Sequence, residues 1–136
     1  MFETTHTERS AASPAAIWEL WSDPGRWAEW NEQIQRAEVD GELAPGATVR
    51  AKLRRGGTVR YEVTALEPGR LLIWEVRLPG ARQGHAHRVS PRGGGAEITH
   101  RMYVRGPLWP LFALLLGRQR MRRWLVEFAE RERELV

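Results

Sequence analysis

The residues best suited to chemistry in this chain are three histidines, His85, His87 and His100, with the phenol of Tyr61 as a further candidate. His85 and His87 share the parity of Val89 in an alternating stretch, and His100 shares that of Ile98 and Met102, so all three imidazoles are expected on one face of a sheet. A hairpin turning around Arg92 and Gly93 sets His85 nearly opposite His100, and facing residues on adjacent strands stand about 5 Å apart. Imidazole donates, accepts and changes charge near neutral pH, which suits recognition of a phenol, ketone or carboxylate and also proton transfer. His85, His100 and Tyr61 are therefore the catalytic candidates. Two plainer readings stand beside this one: local hydrogen bonding at the wet end of the sheet, and a zinc face. The spacing matches no metal-ligand signature, so no metal and no other cofactor is assigned.

Other chemistries are closed off by composition. Cysteine is absent, which removes disulfides, iron–sulfur clusters, thiolate zinc sites and a cysteine nucleophile. No HExxH, GxSxG, P-loop or dinucleotide-binding pattern occurs. No aspartate or glutamate is expected on the covered face of the strands to act as a proton partner.

The elements that must position these side chains begin at Ser13-Pro14, where Ser13 can cap a first short helix and Pro14 suits its opening turn. Asp23-Pro24-Gly25 ends it, and a second short helix follows over Arg26 to Trp30. The pair carries Trp18, Trp21, Trp27 and Trp30. From Ile34 the period changes to two, giving strands at Ile34–Asp40, Thr48–Leu53, Thr58–Leu66, Leu71–Leu78, Gly84–Val89 and Ala96–Val104, after a first strand over Phe2–Arg9. Links this short admit only antiparallel pairing. One face collects Val49, Ala51, Leu53, Val59, Tyr61, Val63, Ala65, Leu72, Trp74, Val76, Leu78, Val89, Ile98, Met102 and Val104, while arginines and glutamates take the other. The apolar face needs a cover, and one helical stretch, preceded by Pro107, Trp109 and Pro110 and running to about Leu135, supplies it through Leu111, Leu114, Leu115, Met121, Leu125 and Phe128. The predicted fold is α+β: a curved seven-stranded antiparallel sheet wrapped around a long C-terminal helix, in one domain spanning residues 1–136.

A sheet curled around a helix can leave a pocket between them, with Ala51, Ala65, Ala86 and Gly117 affecting its size. The competing expectation is a solid core. The run Leu108 to Leu116, followed by Arg118, Arg120, Arg122 and Arg123, reads either as core with a solvated basic flank or as a transient contact with a protein or an anionic membrane. Arg118 and Arg122 also suit an anionic ligand group at the pocket rim. That run is too short to span a bilayer, and the amino terminus does not resemble a signal peptide, so a cytoplasmic monomer or homodimer is expected. The net charge of +4 comes from arginines dispersed along the chain, with Lys52 the single lysine, which argues against nucleic acid as a partner.

The order of elements, with Ser13-Pro14-Ala15, Ile17-Trp18, the segment from Trp21 to Asn31, Pro45-Gly46 and Glu67-Pro68-Gly69-Arg70-Leu71, resembles the START-like or Bet v 1-like superfamily (SRPBCC), the polyketide cyclase/dehydrase and lipid-transport group. The resemblance implies a helix-grip fold whose cavity takes hydrophobic or aromatic molecules. It matches Trp27, Trp30, Tyr61, Trp74, Met121 and Leu125 to pocket-facing positions. With His85, His87, His100 and Met102 these make up the expected ligand-binding set. The leading expectation is binding or carriage of a small hydrophobic or aromatic molecule. The alternative is an aromatase, cyclase or dehydratase acting on a polyketide-like substrate.

Overall fold

In the computed structural model, which describes residues Met1–Leu135 and Arg118 by its backbone alone, the chain starts with strand β1 (Phe2–Ser10). Helix α1 (Pro14–Ser22) opens on Ser13, whose hydroxyl accepts from the Ala16 N–H at 3.2 Å. Asp23 caps the next turn by accepting from the Gly25 N–H at 2.9 Å, and α2 (Trp27–Trp30) follows. Helices this short are not stable in water by themselves. Here the tryptophans join them: the Trp27 indole N–H donates to the Trp21 carbonyl at 2.8 Å, and the Trp30 indole N–H to the Leu20 carbonyl at 3.3 Å. Carbonyls in the last turn of α1, which lack helical partners, are thus satisfied from α2.

Six further strands, β2 (Ile34–Val39), β3 (Thr48–Leu53), β4 (Thr58–Glu67), β5 (Leu71–Leu78), β6 (Ala81–Arg92) and β7 (Gly95–Arg105), form one antiparallel sheet with β1 in the order β1-β7-β6-β5-β4-β3-β2. Ile98, Met102, Val89, Leu72, Trp74, Val63 and Val49 line its covered face, as alternation predicts. Two details of register differ from that prediction. The β6–β7 hairpin turns on Gly93-Gly94, both at positive φ, so His87 faces His100 while His85 faces Met102. In addition, a register shift between Val63 and Ala65 pairs Leu66 with Leu72, so Leu66 packs on the core and Ala65 turns away. Such a bulge inserts one residue and inverts the parity beyond it.

The predicted single C-terminal helix is two. Gly117, at φ 75° and ψ 137°, separates α3 (Trp109–Leu116) from α4 (Arg118–Leu135). Only α4 delivers the expected stripe: Met121, Leu125 and Phe128 are buried, and the helix packs on β1, β7 and α2. α3 buries none of its residues, and Leu111, Leu114 and Leu115, expected against the sheet, are exposed. No helix among the described residues is long and apolar enough to cross a membrane.

Candidate functional site

The predicted aromatic residues converge beneath the sheet and touch one another. Trp27 stacks on Trp74 with ring centroids 4.4 Å apart, and Tyr61 meets both rings edge-on or tilted at 6.2 and 5.6 Å. Trp30 lies 6.1 Å from Trp74 and 5.8 Å from Phe128. Met102, Met121 and Leu125 belong to the same buried cluster. Burial pushes the Tyr61 phenol up to about 12, so it is neutral at physiological pH.

The three histidines form the polar part of this cluster. Trp74 stacks on His85 at 5.6 Å and contacts His87 at 4.5 Å, and His87 meets His100 edge-on at 4.7 Å. His87 and His100 have no exposed surface, whereas His85 keeps part of its surface accessible. Desolvation, with the nearby His100 adding to it, pulls His85 down to about 3 and holds His87 well below its ordinary value, so both rings are neutral.

Glu132 completes the group, and reasoning from the strands alone missed it. This carboxylate has no exposed surface, accepts from the Trp21 indole N–H at 2.8 Å, and lies 2.9 Å from His100 Nε2. A carboxylate oxygen accepts here from the His100 Nε2–H, and His100 Nδ1 has no hydrogen-bond partner among the described residues. The pair is an imidazole oriented by a carboxylate, able to exchange a proton with any group that reaches Nδ1. The signal was present in the helix stripe, because Met121, Leu125 and Phe128 continue at the next step of four to Glu132. On β1, Glu8 is also turned to the covered face, where His6 lies 2.8 Å from it. The covered face therefore holds carboxylates after all. His87, His100 and Glu132 bring their ligand-type atoms within 4.8 Å of one another and could hold a metal ion.

Between the β3 end of the sheet and α4 opens a cleft of about 720 Å³. Its apolar wall is Leu53, Trp124 and Phe128, and Arg54, Arg55, Arg120 and Arg123 stand around it. Phe128 is shared between cleft and interior: its ring sits 5.7 Å from His85 and 6.3 Å from His100. Arg122 is absent from the cleft wall, and the side chain of Arg118 lies outside the described residues.

A family model described as polyketide cyclase/dehydrase and lipid transport matches residues 1–133. The chain belongs to this family. Membership supports ligand-binding or polyketide-cyclase roles in general and specifies no substrate. Among solved structures, the chain resembles protein MLL2253 from Mesorhizobium loti, at TM-score 0.75 and 18% identity over 98% of this chain and 96% of that one. It also resembles truncated norcoclaurine synthase from Thalictrum flavum, at TM-score 0.73 and 16% identity over 98% and 92%. A third likeness is the Aha1 dimer from Colwellia psychrerythraea, at TM-score 0.69 and 16% identity over 99% and 96%. At these identities the likeness is one of fold, the helix grip. A search of curated proteins gave no match.

Proposed function

We propose that this chain acts as one binding unit for a small hydrophobic or aromatic molecule bearing an anionic group, held in the cleft between the sheet and α4. The observation that carries this reading is the cleft's double character, with Leu53, Trp124 and Phe128 beside four arginines and Glu32 and Glu127 as its acids. Apolar walls with a few placed charges are the usual design of such a site. Trp27, Trp30, Tyr61, Trp74, Met102, Met121 and Leu125 form the packed apolar backing. Of the three histidines, His85 keeps accessible surface and its ring lies 5.7 Å from Phe128, so a ligand that displaces Phe128 meets it first; His87 and His100 have no exposed surface. Titration with naphthoate, followed by tryptophan fluorescence, is expected to saturate. Its uncharged methyl ester and the Arg123→Ala variant should each bind about tenfold more weakly, a loss of ~1.4 kcal/mol. Equal binding of acid and ester, or no saturation by either, would remove the reading.

A second observation favours contact with an anionic membrane as the source of that molecule. Leu108, Leu111, Leu114 and Leu115 are 45, 48, 82 and 62% exposed, and the exposed arginines Arg120, Arg122 and Arg123 follow them in the chain. No acidic residue occurs between Glu97 and Glu127. Leucines entering the acyl boundary and arginines at headgroup level, about 1 kcal/mol for each cation near an anionic surface, suit a bilayer carrying phosphatidylglycerol. The chain should cosediment with such vesicles and not with pure phosphatidylcholine, and Leu114→Asp should abolish this while leaving the melting temperature unchanged. A dimer in solution that Leu114→Asp dissociates would instead assign the face to a second copy.

A further inference from the structure

We infer that His87 on β6, His100 on β7 and Glu132 on α4 form a buried binding site for a zinc-type divalent cation. The inference is independent of the cleft and of what binds there. It starts from a buried carboxylate that meets no fixed cation and from a buried imidazole that meets no hydrogen-bond partner among the described residues. Glu132 has no exposed surface, and among the described residues its only ion-pair partner is His100; the adjacent Arg133 turns to Glu8 instead, at 3.0 Å. Among the described residues His87, likewise without exposed surface, finds no hydrogen-bond partner for either Nδ1 or Nε2, and His100 Nδ1 finds none. A buried carboxylate without a fixed cation and a buried imidazole without any partner are each costly. One divalent ion between them answers both.

The donor set fits such an ion. Two imidazoles and one carboxylate suit zinc and its first-row neighbours, and His87, kept neutral by burial, has no proton to lose. On His100 the proton moves from Nε2 to Nδ1, which breaks the hydrogen bond to Glu132 and frees both Nε2 and the carboxylate oxygen to bind the ion. The ligand atoms lie within 4.8 Å of one another. Bonds of about 2.0–2.2 Å to one tetrahedral ion place ligands about 3.5 Å apart, so the widest pair must close by roughly 1 Å. The Trp21 indole N–H already holds Glu132 Oε1, an outer contact that orients the carboxylate. His85 is the next donor, its ring 5.9 Å from His87 with a free Nδ1, and its accessible surface marks the side from which a water or a bound oxygen completes the coordination. Sequence spacing hides this set because its three members come from a hairpin pair and a distant helix.

The test uses the full-length chain freed of metal by a chelator. Addition of Co²⁺ is expected to produce the visible absorption of a four-coordinate site at one equivalent, Zn²⁺ should displace it, and Zn²⁺ should raise the melting temperature. Glu132→Gln should weaken Co²⁺ binding at least about a hundredfold. His87→Leu guards against a trivial loss of fold: by replacing an unsatisfied ring with an apolar side chain it should leave the metal-free protein at least as stable as the parent. It should bind no cobalt, whereas His6→Ala should bind normally. Absence of the cobalt spectrum in the parent, or the same spectrum in His87→Leu, would overturn the site.

Discussion

At the scale of single residues, Glu132 holds together parts of the chain that no local pattern connects. It ties Trp21 of α1 and His100 of β7 to the last turns of α4. Truncation to Ala leaves an indole N–H and an imidazole N–H buried without acceptors and opens a cavity. Glu132→Ala should therefore lose about 3–4 kcal/mol of stability in denaturant titration. Glu132→Gln retains an acceptor for Trp21 and should lose about 1–2 kcal/mol. Equal losses in the two variants would mean that the carboxylate's charge-assisted bonds, not the volume it fills, decide, because Gln occupies the same space as Glu. The histidines themselves were legible, since their parity put all three on the covered face. Their pairing was not, because Arg92-Gly93-Gly94-Gly95 offers several two-residue turns, and each step along it moves the facing pair by two residues.

Among the elements, the strands declared themselves because a half-covered sheet forces strict alternation and turn residues separate the runs. Ala65 fell on the wrong face because a bulge carries no signature in a stretch such as Val63-Thr64-Ala65-Leu66. The C-terminal helix failed for a different reason. In Leu111-Phe112-Ala113-Leu114-Leu115-Leu116 nearly every position is apolar, so the pattern defines no particular side to bury. A helical period fitted through it into Met121, Leu125 and Phe128 joined two segments that Gly117 separates. Positive φ at Gly117 redirects the chain there, and Leu111, Leu114 and Leu115 of α3 are left outside the core, while Leu116 still packs against it. A pocket between sheet and helix is expected from the sequence, but its lining is not, for a related reason: Arg54 and Arg55 lie after β3 and Arg120 and Arg123 on α4, and only the tertiary fold brings them together.

Across the whole molecule, the two faces of the sheet treat charge in opposite ways, and this sets the response to acid. The covered face keeps His85 and His87 neutral by burial. The opposite face buries Glu75 but surrounds it with donors: Arg105 at 2.8 and 2.9 Å, Tyr103 Oη at 2.5 Å and Arg82 at 3.3 Å, bridging β5, β6 and β7. Tyr103 reaches this position by lying over Gly84, where a Cβ would collide with its ring. Arg105 first, against the opposing cost of burial, and then Tyr103 hold the Glu75 carboxyl down to about 2 from an ordinary 4.5. A carboxyl with a depressed folded pKa contributes its full stability above its unfolded value. Protons bind the unfolded chain first as pH falls from 4.5, so that contribution declines until about pH 2. Glu75→Gln should lower stability at neutral pH by about 1–2 kcal/mol, less than the whole shift implies because the arginines remain partly wetted. Denaturant midpoints measured at intervals from pH 7 to about pH 2 should bring parent and variant together at the acid end. Parallel curves over that range would show that Glu75 holds the three strands through hydrogen-bond geometry alone, with no contribution from its charge.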